Sequence, residues 1–305
     1  MKTRREFLKA SAFTLGSLSM VSNDIFAAKK KVEVGVQLFS VRLDMKNDPL
    51  GTLKKLAEMG YKNVEHANYI NRKFYGYSAA EFRKVLDDLG LKMPSGHTVL
   101  DKTRHWDSAK NDFTDVWKYT VEDSAICGQK YVISPSLSSN SRKEVGELKR
   151  MMEIFNKSGE LCQKSGMKFG YHNHDFEFAE KLDGVMIYDI IMQNTDAKYV
   201  SQQLDIGNMY GGGGRAIDVI KKYPGRFESM HVKDEVLSAT PSTNGHEKWE
   251  SSILGKGVIG TKEVIDLGRK IGGTTQFIIE QESYQGMAPI DAMREDLAIM
   301  KKWGY

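Results

Sequence analysis

The chain has little of what builds small or modular proteins. Two cysteines in 305 residues exclude a disulfide scaffold. Cys162 falls on the apolar stripe of an expected helix and Cys127 just before an expected strand, so both read as buried free thiols. Spacing alone does not exclude a single bridge between them in an oxidising compartment. Proline is scarce, with six residues, and no low-complexity tract occurs. A long linker is therefore not expected, and the length suits one large α/β domain. An excess of one charge is also missing. The formal net charge is +4; within residues 1–28, Lys2, Arg4, Arg5 and Lys9 against Glu6 and Asp24 contribute +2, which leaves +2 for the rest. No basic block interleaved with aromatics follows, so neither nucleic acid nor a membrane surface is an expected partner.

Long apolar runs are absent too. Ala10 to Met20 is mildly apolar but short and dotted with Ser and Thr, which excludes a spanning anchor. What precedes it is specific. Thr3-Arg4-Arg5-Glu6-Phe7-Leu8-Lys9 resembles the twin-arginine export signal, and Ala27 or Ala28 offers a cleavage point. Residues 1–28 are thus expected to be a signal peptide and 29–305 the mature domain. The expected location is periplasmic, or otherwise outside the cytoplasm by the twin-arginine route.

From Val32 the chain alternates between strand-like and helix-like segments. Strands are expected at Val32–Phe39, Lys62–Glu65, Lys92–His97, Tyr131–Ser134, Lys168–His172, Tyr199–Asp205, Phe227–Val232 and Gln276–Glu280. Between them apolar residues recur at helical spacing, as in Phe82, Val85, Leu86, Leu89 and in Ile290, Met293, Leu297, Met300. Asp48-Pro49 reads as a helix start, and Ser78-x-x-Glu81 and Ser141-x-x-Glu144 read as capping boxes. Gly60, Gly90 and Gly166 each close a helix shortly before a strand. Eight such repeats predict an α/β fold, the (β/α)8 TIM barrel. Leu237 to Gly257 is irregular and too long for a simple connection, and is expected to be an active-site loop.

Chemistry gathers at the strand ends. All seven histidines (His66, His97, His105, His172, His174, His231, His246) fall at an expected strand end or in the loop after it, the side on which a parallel barrel builds its active site. Side chains alternate along a strand, so Gln203 shares a side with Asp205, His231 with Lys233, Glu280 with Glu282, and His172 with His174. If these sets point inward, Asp205, His231 and Glu280 make a mixed nitrogen and oxygen cluster suited to one divalent ion, Mn, Mg, Co or Zn. The fourth ligand should come from the fifth strand: His172 first, His174 or Glu177 behind it. Lys233 is a candidate for catalysis or for neutralising carboxylates. Glu65, His97, Asn173 and His174 are expected to line the substrate pocket, with Trp106 and Trp249 able to stack on a sugar. Gly211 to Gly214 lacks the Lys-Ser/Thr of a phosphate loop and reads as backbone around the site.

At this point the residues resemble a known family. Val34-Gly-Val-Gln-Leu-Phe-Ser-Val-Arg42, Gly60-Tyr-Lys-Asn-Val-Glu65, Tyr171-His-Asn-His-Asp-Phe-Glu-Phe178, Leu204-Asp-Ile-Gly-Asn208, His231-Val-Lys-Asp234, Leu254-Gly-Lys-Gly257 and Glu280-Gln-Glu282 are similar to pieces of the xylose-isomerase-like barrels. That family includes sugar phosphate isomerases/epimerases, inosose dehydratases and endonuclease IV. The resemblance implies a divalent metal on Asp205, His231 and Glu280. It also shows a departure: ketose epimerases of this superfamily carry a metal-binding glutamate at the end of the fifth strand, and here His172 stands there.

The leading expectation is an isomerase/epimerase-family enzyme. Glu280 or Glu282, with His172 or Lys233, would remove a proton α to a carbohydrate carbonyl, and the metal would stabilise the enediolate. The departure at His172 raises the alternative of a lyase or dehydratase eliminating from a keto-sugar or keto-glycoside. Two further readings are an endonuclease-IV-like phosphodiesterase, disfavoured by the near-neutral charge, and a non-catalytic sugar-binding barrel. The expected partner is a small unphosphorylated carbohydrate, and assembly into a homo-oligomer is left open.

Overall fold

The structure is a computed structural model and describes residues 32–240 and 248–305. The twin-arginine motif, the expected cleavage point and His246 lie outside the described residues. From Val32 to Tyr305 the chain is one compact unit.

Eight parallel strands close into a barrel. They are β1 (Glu33–Gln37), β2 (Asn63–His66), β3 (Lys92–His97), β4 (Tyr131–Ser134), β5 (Lys168–His172), β6 (Val200–Asp205), β7 (Ser229–Val232) and β8 (Gln276–Ile279). Each pairs with its neighbours in sequence, and β8 returns to β1 with Val34 opposite Phe277. The principal helices between and after them are α1 (Pro49–Met59), α2 (Ala79–Asp88), α3 (Asp115–Ile126), α4 (Val145–Gln163), α5 (Ile187–Asn194), α6 (Ala216–Lys222), α7 (Thr261–Leu267) and α8 (Pro289–Lys302). This is the (β/α)8 barrel that the repeats predict.

Local chemistry explains the element ends. Asp48 caps α1 by accepting from the Gly51 amide at 2.9 Å, and Pro49 fills the first turn, where a missing N–H costs nothing. Gly60 ends that helix in the left-handed region, φ 105°, which favours glycine. Ser78 and Glu81 form the expected capping box on α2. The second expected box is corrected. Ser141 is held inside a 3-10 turn, Ser139–Arg142, where its amide donates to Ser138 Oγ at 3.3 Å. Helix α4 starts only after Glu144.

Alternation sorts the strands into two faces. Val36, Val64, Leu204, Met230 and Phe277 face outward and join helix residues such as Leu53, Phe82, Ile265 and Met293 in one apolar core. A second core forms around Trp117, Phe155 and Phe169. Cys127 and Cys162 are buried free thiols within these layers. The inward face is largely polar: Gln37, Glu65, Ser95, Gln203 and Ser229 are all buried. The barrel is narrow below this layer. A Cβ on Gly35 would stand 2.9 Å from Ile278 Cδ1, and one on Gly170 2.9 Å from Ile133 Cγ1.

Insertions after the strands wall the mouth. A three-stranded sheet (Tyr69–Ile70, Lys73–Phe74, Tyr77–Ser78) follows β2, and a small hairpin (Trp106–Asp107, Asp112–Phe113) follows β3. After β7, the segment expected to be irregular supplies a strand, Trp249–Ser252, that pairs antiparallel with Asp234–Leu237 just before it. Asp234 organises its base by accepting from the amides of Glu235, Gly255 and Ile259.

Candidate metal centre

Register brings the candidate ligands together. Asp205 on β6 lies opposite His231 on β7, and His172 on β5 opposite Gln203 on β6. Strand parity then aims Asp205, His231, His172 and Glu280 at one point. One donor atom from each lies within 4.8 Å of all the others, and all four residues are buried. His231 Nδ1 is 3.0 Å from Glu280 Oε2 and 3.7 Å from Asp205 Oδ2, and His172 Nε2 is 3.8 Å from Asp205 Oδ2.

A buried polar layer orients these ligands from below. Glu65 Oε1 accepts from Gln37 Nε2 at 2.8 Å and from His231 Nε2 at 2.5 Å; Oε2 accepts from Ser95 and, at 2.8 Å, from Gln203 Nε2. With Nε2 committed to Glu65, Nδ1 is the nitrogen that faces the cluster. The carboxamide oxygen of Gln203 lies 3.0 Å from His172 Nδ1 and 2.7 Å from His97 Nε2. His172 is thereby held with Nε2 free. Two imidazole nitrogens and two carboxylates converge, each histidine tied at its other nitrogen, as metal-ligating histidines are.

The donor set fits a divalent cation on one further observation. Asp205 Oδ1 caps the following turn, accepting from the Asn208 amide at 2.7 Å. Its Oδ2 is buried and accepts no hydrogen bond, although the Lys233 ammonium stands 3.2 Å away. A buried carboxylate oxygen that faces one ammonium but accepts no well-formed hydrogen bond is only partly compensated. The field there favours positive charge. Burial opposes a charge on His231, yet Glu280 and Glu65 hold its pKa well above the usual range. Burial likewise opposes a charge on Lys233, but Asp205, Glu280 and Glu282 raise it. Burial pushes the Glu280 carboxyl up, and Lys233 and His231 more than offset this, leaving it well below the usual range.

Lys233 is fully buried and spans the carboxylates, 2.9 Å from Glu280 Oε2 and 2.8 Å from Glu282 Oε1. Glu282 is half exposed at the rim. A cavity of about 600 Å³ opens above the cluster, with His97, His172, His174, Glu280 and Glu282 on its inner wall. That volume is ordinary for a small-molecule site.

Other expected positions fall elsewhere. Glu65 does not line the cavity; it is the buried acceptor beneath the cluster. Asn173 is also buried, its side chain bonded both ways to the Asp205 backbone at 3.0 Å, so it fixes the strand end. Glu177 is not among the convergent donors. The chain leaves β5 at His172 and turns into a short helix, which sets Glu177 against the Tyr171 hydroxyl and the His174 amide. His174 lines the cavity but is likewise outside the four-residue set. Trp106 packs on Phe113, ring centres 5.0 Å apart, away from the cavity. Trp249 lines a neighbouring cavity of about 840 Å³, edge-on to Tyr210, and His174 belongs to both walls.

The expectation that every histidine faces the reaction side needs correcting among the described residues. His66 packs edge-on to Phe74 and fills the space above Gly96; burial lowers its pKa to about 3. His105 keeps to the expectation: it ends a short helix against Trp117 and lines the cavity. Sequence reasoning placed Gln203 on the same side as Asp205 but gave it no role. The alternation was the available signal, and the hydrogen bonds to two histidines were not.

Known proteins share this arrangement of strands. A model of the family described as xylose isomerase-like TIM barrel matches residues 53–303. Over 274 residues the chain is 25% identical to an inosose dehydratase of Clostridium beijerinckii, covering 84% of this chain and 77% of that protein. It is similar to the crystal structure of a sugar phosphate isomerase/epimerase from Parabacteroides distasonis, with TM-score 0.75 and 23% identity over 90% of this chain and 95% of the other. It is also similar in fold to the IOLI protein with a bound zinc atom, with TM-score 0.66 and 15% identity over 89% of this chain and 97% of the other.

Proposed function

The chain belongs to the xylose isomerase-like TIM barrel family, and on that premise we propose that it is an exported, divalent-metal-dependent enzyme that removes the proton α to a carbonyl of a carbohydrate. The observation that carries this reading is the convergence of Asp205 Oδ2, which accepts no hydrogen bond, with His172, His231 and Glu280 at the floor of a cavity. When bound there, a divalent ion would supply Lewis-acid stabilisation of negative charge on a substrate oxygen.

The chain's own residues have separate tasks. Glu280 or Glu282 takes the proton, since both carboxylates reach the cavity. Lys233 holds them charged and ready to accept it. His172 and His174 occupy the fifth-strand side. Epimerisation by a pair of carboxylates would need one on each face, and here Glu280 and Glu282 lie at the same strand end while Glu177 is turned into the protein. Elimination needs one base and a proton for the departing oxygen, which Lys233 or His174 can supply. We therefore place lyase or dehydratase chemistry ahead of epimerisation. The name of the Clostridium beijerinckii relative, inosose dehydratase, supports the same choice.

The candidate ligand groupings among the described residues overlap at His172 and His231. They offer one centre rather than the several metals of an endonuclease-IV-like phosphodiesterase. The test is incubation of metal-loaded protein with keto-sugars and keto-glycosides in deuterated water. The expected result is deuterium at the carbon next to the carbonyl or an unsaturated product. Absence of both across the panel would overturn the proposal.

A further inference from the structure

The outer wall of the cavity has a different character from its floor. Twelve large apolar side chains are more than a third exposed among the described residues. Five of them, Phe39, Ile70, Val99, Val116 and Tyr119, line this one cavity. They come from four separate places in the chain: the turn after β1, the sheet after β2, the loop after β3, and helix α3. Scattered exposed apolar residues are normal, but a contiguous group beside a polar site marks a ligand surface. Arg72 braces this wall, bonding to Asp123 Oδ1 at 2.7 Å with its guanidinium over the Tyr119 ring at 4.2 Å. The wall is therefore built rather than loose.

A sugar held at the metal centre by its oxygens can lay one C–H face on a single ring, but that leaves most of a five-residue apolar wall drawn from four segments without contact. We infer that the outer half of the cavity is a subsite for an apolar or aromatic group attached to the reacting sugar, so that the substrate is a glycoside with an aryl or alkyl aglycone. This rests on the α-proton reading above. For a keto-glycoside whose glycosidic oxygen is β to the carbonyl, the C–H bond next to the carbonyl breaks and a carbon–carbon double bond forms. The C–O bond to the aglycone then breaks, its electron pair leaving on oxygen, which takes a proton to depart as an alcohol or phenol. No oxidant is consumed, since the sugar arrives already carrying its carbonyl.

The experiment separates this from the chemistry. Binding of phenyl and methyl glycosides of glucose and galactose to metal-loaded protein is measured by calorimetry, without turnover. For at least one sugar the phenyl glycoside should bind roughly tenfold or more tightly than the methyl one, the gain from burying an aromatic ring. Ile70→Asp and, independently, Val116→Asp should erase the difference; both side chains are exposed, so the fold is expected to survive, and thermal unfolding checks it. If no phenyl glycoside outbinds its methyl partner, or if both variants keep the preference, the subsite is wrong even where deuterium exchange on keto-sugars succeeds. If the preference stands while exchange fails, the chemistry is wrong and the subsite survives. Loss of self-association in the variants, with no ligand preference in the unaltered protein, would instead assign the wall to a second copy of the chain and overturn the inference.

Discussion

The carboxamide of Gln203 faces His172 with its oxygen, 3.0 Å from Nδ1. Its orientation is set from the other end, where the amide nitrogen stands 2.8 Å from Glu65 Oε2. A carboxylate accepts and cannot donate, so the oxygen has to point toward the histidines.

Gln203→Leu should therefore weaken metal binding by about 10- to 100-fold, the usual cost of losing a partner behind a ligating histidine, without removing any donor atom of the cluster. Competition against a chelator of known affinity measures it. Unchanged affinity would show that His172 does not depend on Gln203, or does not ligate.

Asp205→Ala and Glu280→Ala should each abolish tight divalent-metal binding while the barrel remains folded. Elemental analysis of the purified variants, beside their circular dichroism, decides this. Either variant retaining full metal stoichiometry would remove that residue from the ligand set.

How much of this was legible in the sequence depends on where strict alternation holds. Asp205, His231 and Glu280 lie on or directly after strands, and parity brought them together correctly. Glu177 lies beyond the end of β5, where the chain turns at Asp175 and parity no longer applies. Glu65 was placed at the right strand end but at the wrong depth. Its burial depends on donors from four different side chains, none of which is its neighbour in sequence. Trp106 was misplaced for a third reason, since it belongs to a hairpin that folds onto Phe113 and nothing in its spacing gives that direction.

Stability should fall with rising pH through a group far from the cluster. Asp296 is buried in α8, its Oδ1 accepting from the Leu254 amide at 2.9 Å, and burial raises its carboxyl pKa from 3.8 to about 7. Between these values the folded state holds a proton that the unfolded chain has released. This contribution is fully present below about pH 4 and is lost as pH rises through about 7. Asp296→Asn keeps an acceptor and removes the titration. Urea unfolding should show the variant gaining on the natural protein between pH 5 and pH 8, by a few kcal/mol at most. Parallel pH profiles for the two proteins would contradict the assignment.

Replacing Arg4 and Arg5 together by lysine should trap the precursor in the cytoplasm, if the pair acts as a twin-arginine signal. Fractionation and immunoblotting of cells expressing either form provide the check. Normal export of the double variant would withdraw the proposed route.

Turnover should be found on unphosphorylated sugars. The Asp205, Glu280 and Glu282 carboxylates repel a phosphate unless cations offset them, and export would remove the enzyme from the cytosolic pool of sugar phosphates. Matched phosphorylated and free keto-sugars assayed side by side would settle the matter; activity confined to the phosphorylated members would reverse this expectation.

The position of Glu65 also bears on how the barrel can be divided. Its carboxylate accepts from Gln37 and Ser95 of the first four strands and from Gln203 and His231 of the last four. A fragment ending after β4 would enclose this anion with part of its donors missing, at a cost of several kcal/mol. A fragment beginning at β5 would contain Gln203 and His231 without the acceptor they share. Neither half is chemically complete, so complementation from two separately expressed halves should fail unless they meet before either one compacts. The same carboxylate that sets the angle of His231 makes the barrel indivisible.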